Sequence, residues 1–274
     1  DWSSDVCSSD LHKHLSISAY ITRGISKEPM IAWLREKIAM KLIEDFTPQN
    51  LANMTKVFVN GDWVGSITDP IENVQKIKLF RRNGLIPIYV SVSFEIKTNT
   101  IYIYTDAGRI CRPLFYYDEF SNNMAFLNEK IIEKINKNEF TWTDLVTGFN
   151  EKKIENFNVQ NMGMYELDEL YKNVTSETNP AKIDRFLKEK SIIEYLDTSE
   201  VECSLIALDY EDVEKYKEKK FTHLEIHHSF ILGTMGNVIP FPENNPATRN
   251  SFSCGQSKQA CSDRKSTRLN SSHV

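Results

Sequence analysis

Three groups of residues in this 274-residue chain combine side-chain types and spacings that can do chemistry. In "THLEIHHS", His223, Glu225 and His227 would lie on one face of a strand at period two, so three metal-ligating side chains would converge. Zinc accepts such ligands, but its usual signatures use helix or knuckle spacings and no fourth ligand is evident, so a hydrogen-bonded structural cluster is favoured and no metal is assigned. In "TDAGRICRPLF", residues 105–115, Asp106, Gly108 and Arg109 form a tight turn after a strand, with Arg112 held before Pro113. An Asp–Arg pair that anchors the corner is preferred there to a phosphate contact.

The third group is "NPATRNSFSCGQSKQA", residues 245–260, which leaves the apolar run "VIPFP" for a stretch with little to bury. Arg249 presents a rigid fork that suits phosphate oxygens, and Lys258 a flexible charge. Gln256 and Gln259 can meet phosphate, sugar or base edges, and Phe252 can stack on a base. On composition alone, a polar surface loop is the simpler reading.

The elements that must position these groups mix helices and strands. "SKEPMIAWLREKIAMKLI" places Met30, Ile31, Leu34, Ile38 and Leu42 on a helical stripe after a Ser26 cap. "TKVFVNGDWVGSI" alternates as two strands around Asn60-Gly61, a strong hairpin pattern. Asp69-Pro70 opens a helix that runs to Asn83-Gly84, with Ile71, Val74, Ile77 and either Leu79 or Phe80 inward and the charges of "KIKLFRR" on a solvated face. "IYVSVSFEIKTNTIYIYTD" is a strand, a polar turn and a second strand, and residues 124–137 are helical. "SIIEYLDTSEVECSLIALD" reads as two strands about an acidic turn, and "THLEIHHSFILGTMGNVIPFP" as a strand, a glycine turn and another strand. Residues 150–180 are polar, rich in Asn and weakly periodic, as expected of an insertion. Helix runs and strand runs are segregated, which gives an α+β fold class of helices with antiparallel strands.

Composition narrows the functions. The net charge of −5 argues against a uniformly basic nucleic-acid binder and leaves only local cationic patches. No apolar run approaches the roughly 20 residues that span a bilayer, and the N-terminus lacks a signal peptide, so an intracellular protein without membrane contact is expected. Cys7, Cys111, Cys203, Cys254 and Cys261 are odd in number, scattered and without a CxxC pair, which predicts reduced thiols. Residues 1–11 and 263–274 lack core-forming pattern and resemble translated adaptor sequence; they are read as artefactual tails on an internal fragment of about 12–262.

The blocks "KVFVNGDWVG", "TDAGRICRPLF", "IIEYLD", "THLEIHHSFILG" and "VIPFPENNPATRNSFSCGQSKQA" resemble, in order and spacing, the second-largest subunit of multisubunit DNA-directed RNA polymerase of the RNA polymerase II type. The resemblance implies the end of the lobe and fork region at 12–52, an external domain at 53–222 with a variable insertion at 150–185, and the start of a hybrid-binding domain at 223–262. It implies that Arg249 approaches the triphosphate of the incoming nucleotide. Phe252, in place of a family tyrosine, would lie near the RNA 3′ end, while Lys258 and Gln259 would contact the RNA of the RNA–DNA hybrid. Template-directed nucleotidyl transfer would then use Mg held outside this fragment, which is expected to be inactive alone. The implied partners are the largest polymerase subunit, further subunits, template DNA, nascent RNA and nucleoside triphosphates. His228 in place of a family Pro, "NNPATRN" in place of "HNQSPRN", and the Asn-rich middle point to a divergent version, of the kind a large DNA virus would carry. Localisation would then be the nucleus, or a cytoplasmic viral factory or virion. Two other readings compete: a stand-alone nucleic-acid or protein interaction module derived from polymerase domains, and a metal-dependent hydrolase built on His223, Glu225 and His227.

Overall fold

A computed structural model of the chain describes residues 16–45, 47, 54–118, 123–127, 129–137, 139–148, 190–216 and 218–253. The two terminal tails, the 150–185 insertion, Lys258 and Gln259, and Cys7, Cys254 and Cys261 lie outside these described residues. The described residues from Tyr20 to Ile226 form one compact unit; those at 16–19 and 227–253 belong to a second.

In chain order the larger unit begins with β1 (Tyr20–Arg23), α1 (Glu28–Lys37), β2 (Lys41–Leu42), β3 (Thr55–Val59), β4 (Asp62–Ile67), α2 (Pro70–Arg82), β5 (Ser91–Glu95) and β6 (Thr100–Tyr104). It continues with β7 (Ala107–Asp118), β8 (Asn123–Met124), α3 (Glu129–Asn136), α4 (Trp142–Thr147), β9 (Ile193–Asp197), α5 (Thr198–Glu202), β10 (Ile206–Ala207), α6 (Tyr210–Lys215) and β11 (His223–Leu224). These helices and mixed sheets make an α+β fold. One sheet has the order β2-β4-β3-β6-β5; the other runs β1-β7-β11-β10, with β8 and β9 also paired to β7. All pairings are antiparallel except β3 with β6 and β10 with β11.

Local chemistry explains the first sheet. Asn60 (φ 51°) and Gly61 (φ 87°) both take the positive φ that a two-residue turn demands, and they close β3 onto β4. The expected pair β5 and β6 runs antiparallel from Ser91 opposite Tyr104 to Glu95 opposite Thr100. Val57, Val59, Ile101, Ile103 and Val92 point to the sheet's buried face, where they meet Met30, Trp33 and Leu34 of α1 and Ile77 and Phe80 of α2. Trp33 is 1% exposed, so truncating it to Ala would cost about 3–5 kcal/mol.

Several expectations need correction here. Helix α1 stops at Lys37, Ala39 turns the chain at φ 52°, and Leu42 belongs to strand β2 rather than to the helical stripe. Ser26 is not the cap: its hydroxyl donates to the Glu28 carboxylate, and Lys27 precedes the helix without a side-chain capping bond. Helix α2 starts at Pro70, where a missing N–H costs nothing, and Gly84 follows it at φ 69°. Ile71, however, is 65% exposed. At about 100° per residue, the buried arc of Val74, Ile77, Phe80 and Arg81 centres well away from it. The acidic turn after β9 is the short helix α5, because the Asp197 carboxylate accepts the Glu200 backbone N–H at 2.9 Å and caps it.

Strand β7 is the spine of the second sheet. It pairs with β9 along Cys111–Phe115, with β1 up to Cys111 and with β11 from Phe115. Pro113 lies opposite the interval between β1 and β11, where its missing N–H breaks no pairing on that side.

In the smaller unit the expected strands are absent from the described residues. After the two-residue β11 comes a 3₁₀ turn at His228–Ile231, then α7 (Thr234–Asn237) and a second 3₁₀ turn at Pro242–Asn244. Side chains organise these turns in place of a ladder. The His227 Nδ1 accepts the Ser229 backbone N–H at 3.2 Å, and the Asn237 amide donates to the carbonyls of Ser229, Leu232 and Gly233.

Candidate functional site

The corner at 105–109 is built on Gly108 at φ 83°, with nothing near the position a Cβ would take. Arg109 closes it: its Nε lies 3.0 Å from Asp106 Oδ1, its Nη1 donates to Asp197 at 3.2 Å, and its Nη2 donates to the Tyr89 carbonyl at 2.8 Å. The guanidinium is thereby engaged by the protein. Arg112 is likewise paired, with Nη2 at 2.7 Å from Glu225 Oε1.

His223, Glu225 and His227 do not act as a ligand set. His223 Nδ1 lies 3.0 Å from the Thr222 hydroxyl, Glu225 is held by Arg112, and His227 Nδ1 meets the Ser229 hydroxyl at 2.7 Å. Among the described residues no group of three or more His, Cys, Asp or Glu side chains could hold a metal ion. The hydrolase reading loses its site for that reason. Burial pushes the Cys111 thiol up to about 12, so it stays protonated and unreactive.

The main surprise lies in "KIKLFRR", expected to be a solvated face. Arg81 is 1% exposed. Its Nη1 donates to the Val90 carbonyl at 2.6 Å and to Glu200 Oε2 at 2.8 Å, while its Nη2 donates to Glu194 and, at 3.1 Å, to Glu200 Oε1. Arg82 Nη2 donates to Glu194 Oε2 at 2.9 Å, with its guanidinium over the Tyr116 ring. Lys78 approaches Glu200 at 3.7 Å, and His223 Nε2 lies 3.5 Å from Glu194 Oε2. Burial alone would raise the Glu194 carboxyl, but Arg82 and Arg81 outweigh it and hold the group well below the usual carboxylate range. Burial lowers the His223 imidazole by more than Glu194 raises it, so the ring is kept neutral. This network joins α2 to β9, α5 and β11. Sequence reasoning missed it, although one signal pointed there: a Glu inside the apolar run "SIIEYL" needs a buried cation as partner.

In the smaller unit, residues 247–253 are helical. The Arg249 and Asn250 backbone N–H groups donate to the Pro246 carbonyl at 2.9 and 3.2 Å, and the Asn250 amide donates to the Pro242 carbonyl at 2.9 Å. Arg249 is exposed, with its guanidinium carbon 5.6 Å from the centroid of Phe252, which is 60% exposed. Among the described residues no carboxylate pairs with Arg249, so its fork faces solvent and is free to take an anion. Phe241 ahead of it holds φ 49°, a left-handed conformation uncommon for an aromatic residue, and is 71% exposed.

The family described as RNA polymerase Rpb2, domain 4, matches residues 57–118, and that described as RNA polymerase Rpb2, domain 5, matches residues 184–227. The chain thus carries, in these two stretches, matches to successive domains of the second-largest subunit of RNA polymerase. Its relatives are whole subunits. It is 30% identical over 256 residues to the DNA-directed RNA polymerase II subunit RPB2 of Encephalitozoon cuniculi, covering 91% of this chain and 18% of that protein. The corresponding subunit of Schizosaccharomyces pombe is 30% identical over 279 residues, covering 91% of this chain and 20% of the relative. DNA-directed RNA polymerase II subunit 2 of Arabidopsis thaliana is 31% identical over 258 residues, covering 91% and 18%. The chain thus spans about a fifth of the length of the curated relatives it matches.

Proposed function

We propose that this chain is the part of a DNA-directed RNA polymerase second-largest subunit that carries an external domain at 53–222 and leads, from 223, into a surface along the RNA–DNA hybrid. The observation that carries this reading is the match of two successive Rpb2 domains to residues 57–118 and 184–227. In this reading, Arg249 directs its unpaired guanidinium at the phosphates of the incoming nucleoside triphosphate. It supplies positive charge as pyrophosphate departs and aligns the reacting group. Phe252 offers a ring for stacking near the RNA 3′ end but lacks a hydroxyl for a hydrogen bond. Lys258 and Gln259 are the further residues proposed to contact the RNA of the hybrid.

The reading assigns Mg to residues outside this fragment, as the resemblance to polymerase subunits implies. Among the described residues no helix is long and apolar enough to cross a membrane. The partners of the assembled enzyme would be the largest subunit and other subunits, template DNA, nascent RNA and nucleoside triphosphates, in the nucleus of a eukaryotic cell or at the replication site of a virus.

A photo-crosslinking experiment tests the placement. An elongation complex assembled with the full subunit and carrying 4-thiouridine at the RNA 3′ end should crosslink within residues 241–262. Crosslinks confined to other segments would remove the assignment.

A further inference from the structure

The outer face of the first sheet carries a row of aromatic rings that neither the buried core nor the polymerase reading uses. Phe58 of β3 stands in register opposite Trp63 of β4 and Tyr102 of β6, so three rings cross three neighbouring strands at one level. Phe58 lies 6.3 Å from Trp63 and 5.6 Å from Tyr102, and Tyr104 continues the row 6.4 Å beyond Tyr102, with interplanar angles of 29° or less. All four rings are half-buried and none packs into the core between this sheet and helices α1 and α2. The Trp63 N–H is already satisfied by the Gly65 carbonyl at 2.9 Å, which leaves its ring as the part available for contact.

The adjoining cross-strand row is basic. Lys41 of β2 and Lys56 of β3 flank Ser66 of β4 from opposite sides, both exposed, with Lys56 Nζ 5.5 Å from the Trp63 ring centroid. Among the described residues neither lysine has an acidic partner. The carboxylate at the far edge of the face, Glu95, accepts from the Thr98 hydroxyl at 2.9 Å. Rings on adjacent strands beside unpaired cations complement the two parts of an unpaired strand of nucleic acid, stackable bases and a phosphate backbone. A proline-rich peptide would use the rings but gives the lysines no counter-charge.

We propose that this sheet face binds single-stranded nucleic acid, with bases stacked across Trp63, Phe58 and Tyr102 and the backbone phosphates beside Lys56 and Lys41. The proposal does not depend on the role assigned to Arg249. With a net charge of −5 on the chain, binding rests on the local patch and is steeply salt-dependent.

The test is fluorescence anisotropy of the full chain with labelled ten-residue oligouridylate, oligothymidylate and oligoproline probes over a salt series. Both oligonucleotides should bind and quench Trp63 emission, and oligoproline should not bind. Lys41→Glu with Lys56→Glu should weaken binding at least tenfold and reduce the salt slope by about 1.4, from two phosphates at about 0.7 each. Trp63→Leu should weaken it several-fold, while Trp63→Phe keeps the affinity but abolishes the quenching. Thermal midpoints of the lysine variant should match the parent, so that lost binding is not lost folding. Absence of oligonucleotide binding overturns the proposal, as does binding that survives the lysine changes in full, wherever else on the chain the strand sits. Preference for oligoproline would assign the face to a protein partner instead.

Discussion

Arg82 and Arg249 each lie over an aromatic ring, with guanidinium carbons 3.8 Å from the centroid of Tyr116 and 5.6 Å from that of Phe252. Their surroundings differ in what else the charge meets. Arg82 also grips Glu194, which Arg81 holds from the other side, while Tyr116 is anchored through its hydroxyl to the Ser191 carbonyl at 2.6 Å. Arg249 has no acid among the described residues, and its ring is open to solvent. A buried cation must be fully matched, because an unpaired charge away from water is prohibitively costly, so the first arrangement is fixed by folding. The second arrangement costs folding little and leaves binding capacity unused, as expected of a residue whose partner is an anion the chain does not itself contain.

Stability measurements test that contrast. Arg81→Ala should be the most damaging change, since it strands Glu194 and Glu200 in the interior; chemical denaturation should show a loss of roughly 3–5 kcal/mol or a chain that does not fold. Replacing Arg81, Arg82, Glu194 and Glu200 together by Met, Met, Leu and Leu should cost far less, since no buried charge is then left without its partner. If it costs as much, the network contributes more than mutual neutralisation. Glu194→Gln should remove about 1.5–3 kcal/mol, because two guanidinium groups lose their shared anion.

Acid should act more gently. Below about 6.5, the ordinary imidazole value, the unfolded chain binds a proton that buried His223 refuses, so stability falls as pH drops until the lowered folded-state value is reached. The slope is at most about 1.4 kcal/mol per pH unit. It should be absent over that range in His223→Asn. Glu194 adds a second loss further into acid, because its folded-state value lies below the ordinary 4.5. Arg249→Ala, last in size, should change stability by no more than about 0.5 kcal/mol in the same denaturation assay.

The same contrast explains what the sequence revealed. The hairpin at Asn60-Gly61 and the helix opened by Pro70 were legible because each depends on neighbours along the chain. Arg81 was not, because its partners Glu194 and Glu200 are 113 and 119 residues away, and local periodicity shows only a charged helix face. Of the two strands expected in "THLEIHHSFILGTMGNVIPFP", the first forms only at His223–Leu224 and the second does not form, for a related reason: apolar runs become strands only with a neighbour to pair with, and past β11 Asn237 and His227 satisfy backbone groups instead. Composition made Arg249 a loop residue, and the role proposed for it rests on the resemblance to polymerase subunits. The aromatic row of Trp63, Phe58 and Tyr102 was not read from the sequence, since alternation along single strands cannot align three of them.

The most direct test is single-nucleotide addition by a polymerase reconstituted with Arg249→Ala in the full subunit, measured against nucleoside triphosphate concentration beside the melting curve of the variant. Addition should be slowed about tenfold or more, a loss of roughly 1.4 kcal/mol in kcat/KM, with assembly and melting unchanged. Unaltered addition at limiting nucleotide, or a rate loss that tracks a lower melting temperature, would contradict the role proposed for Arg249.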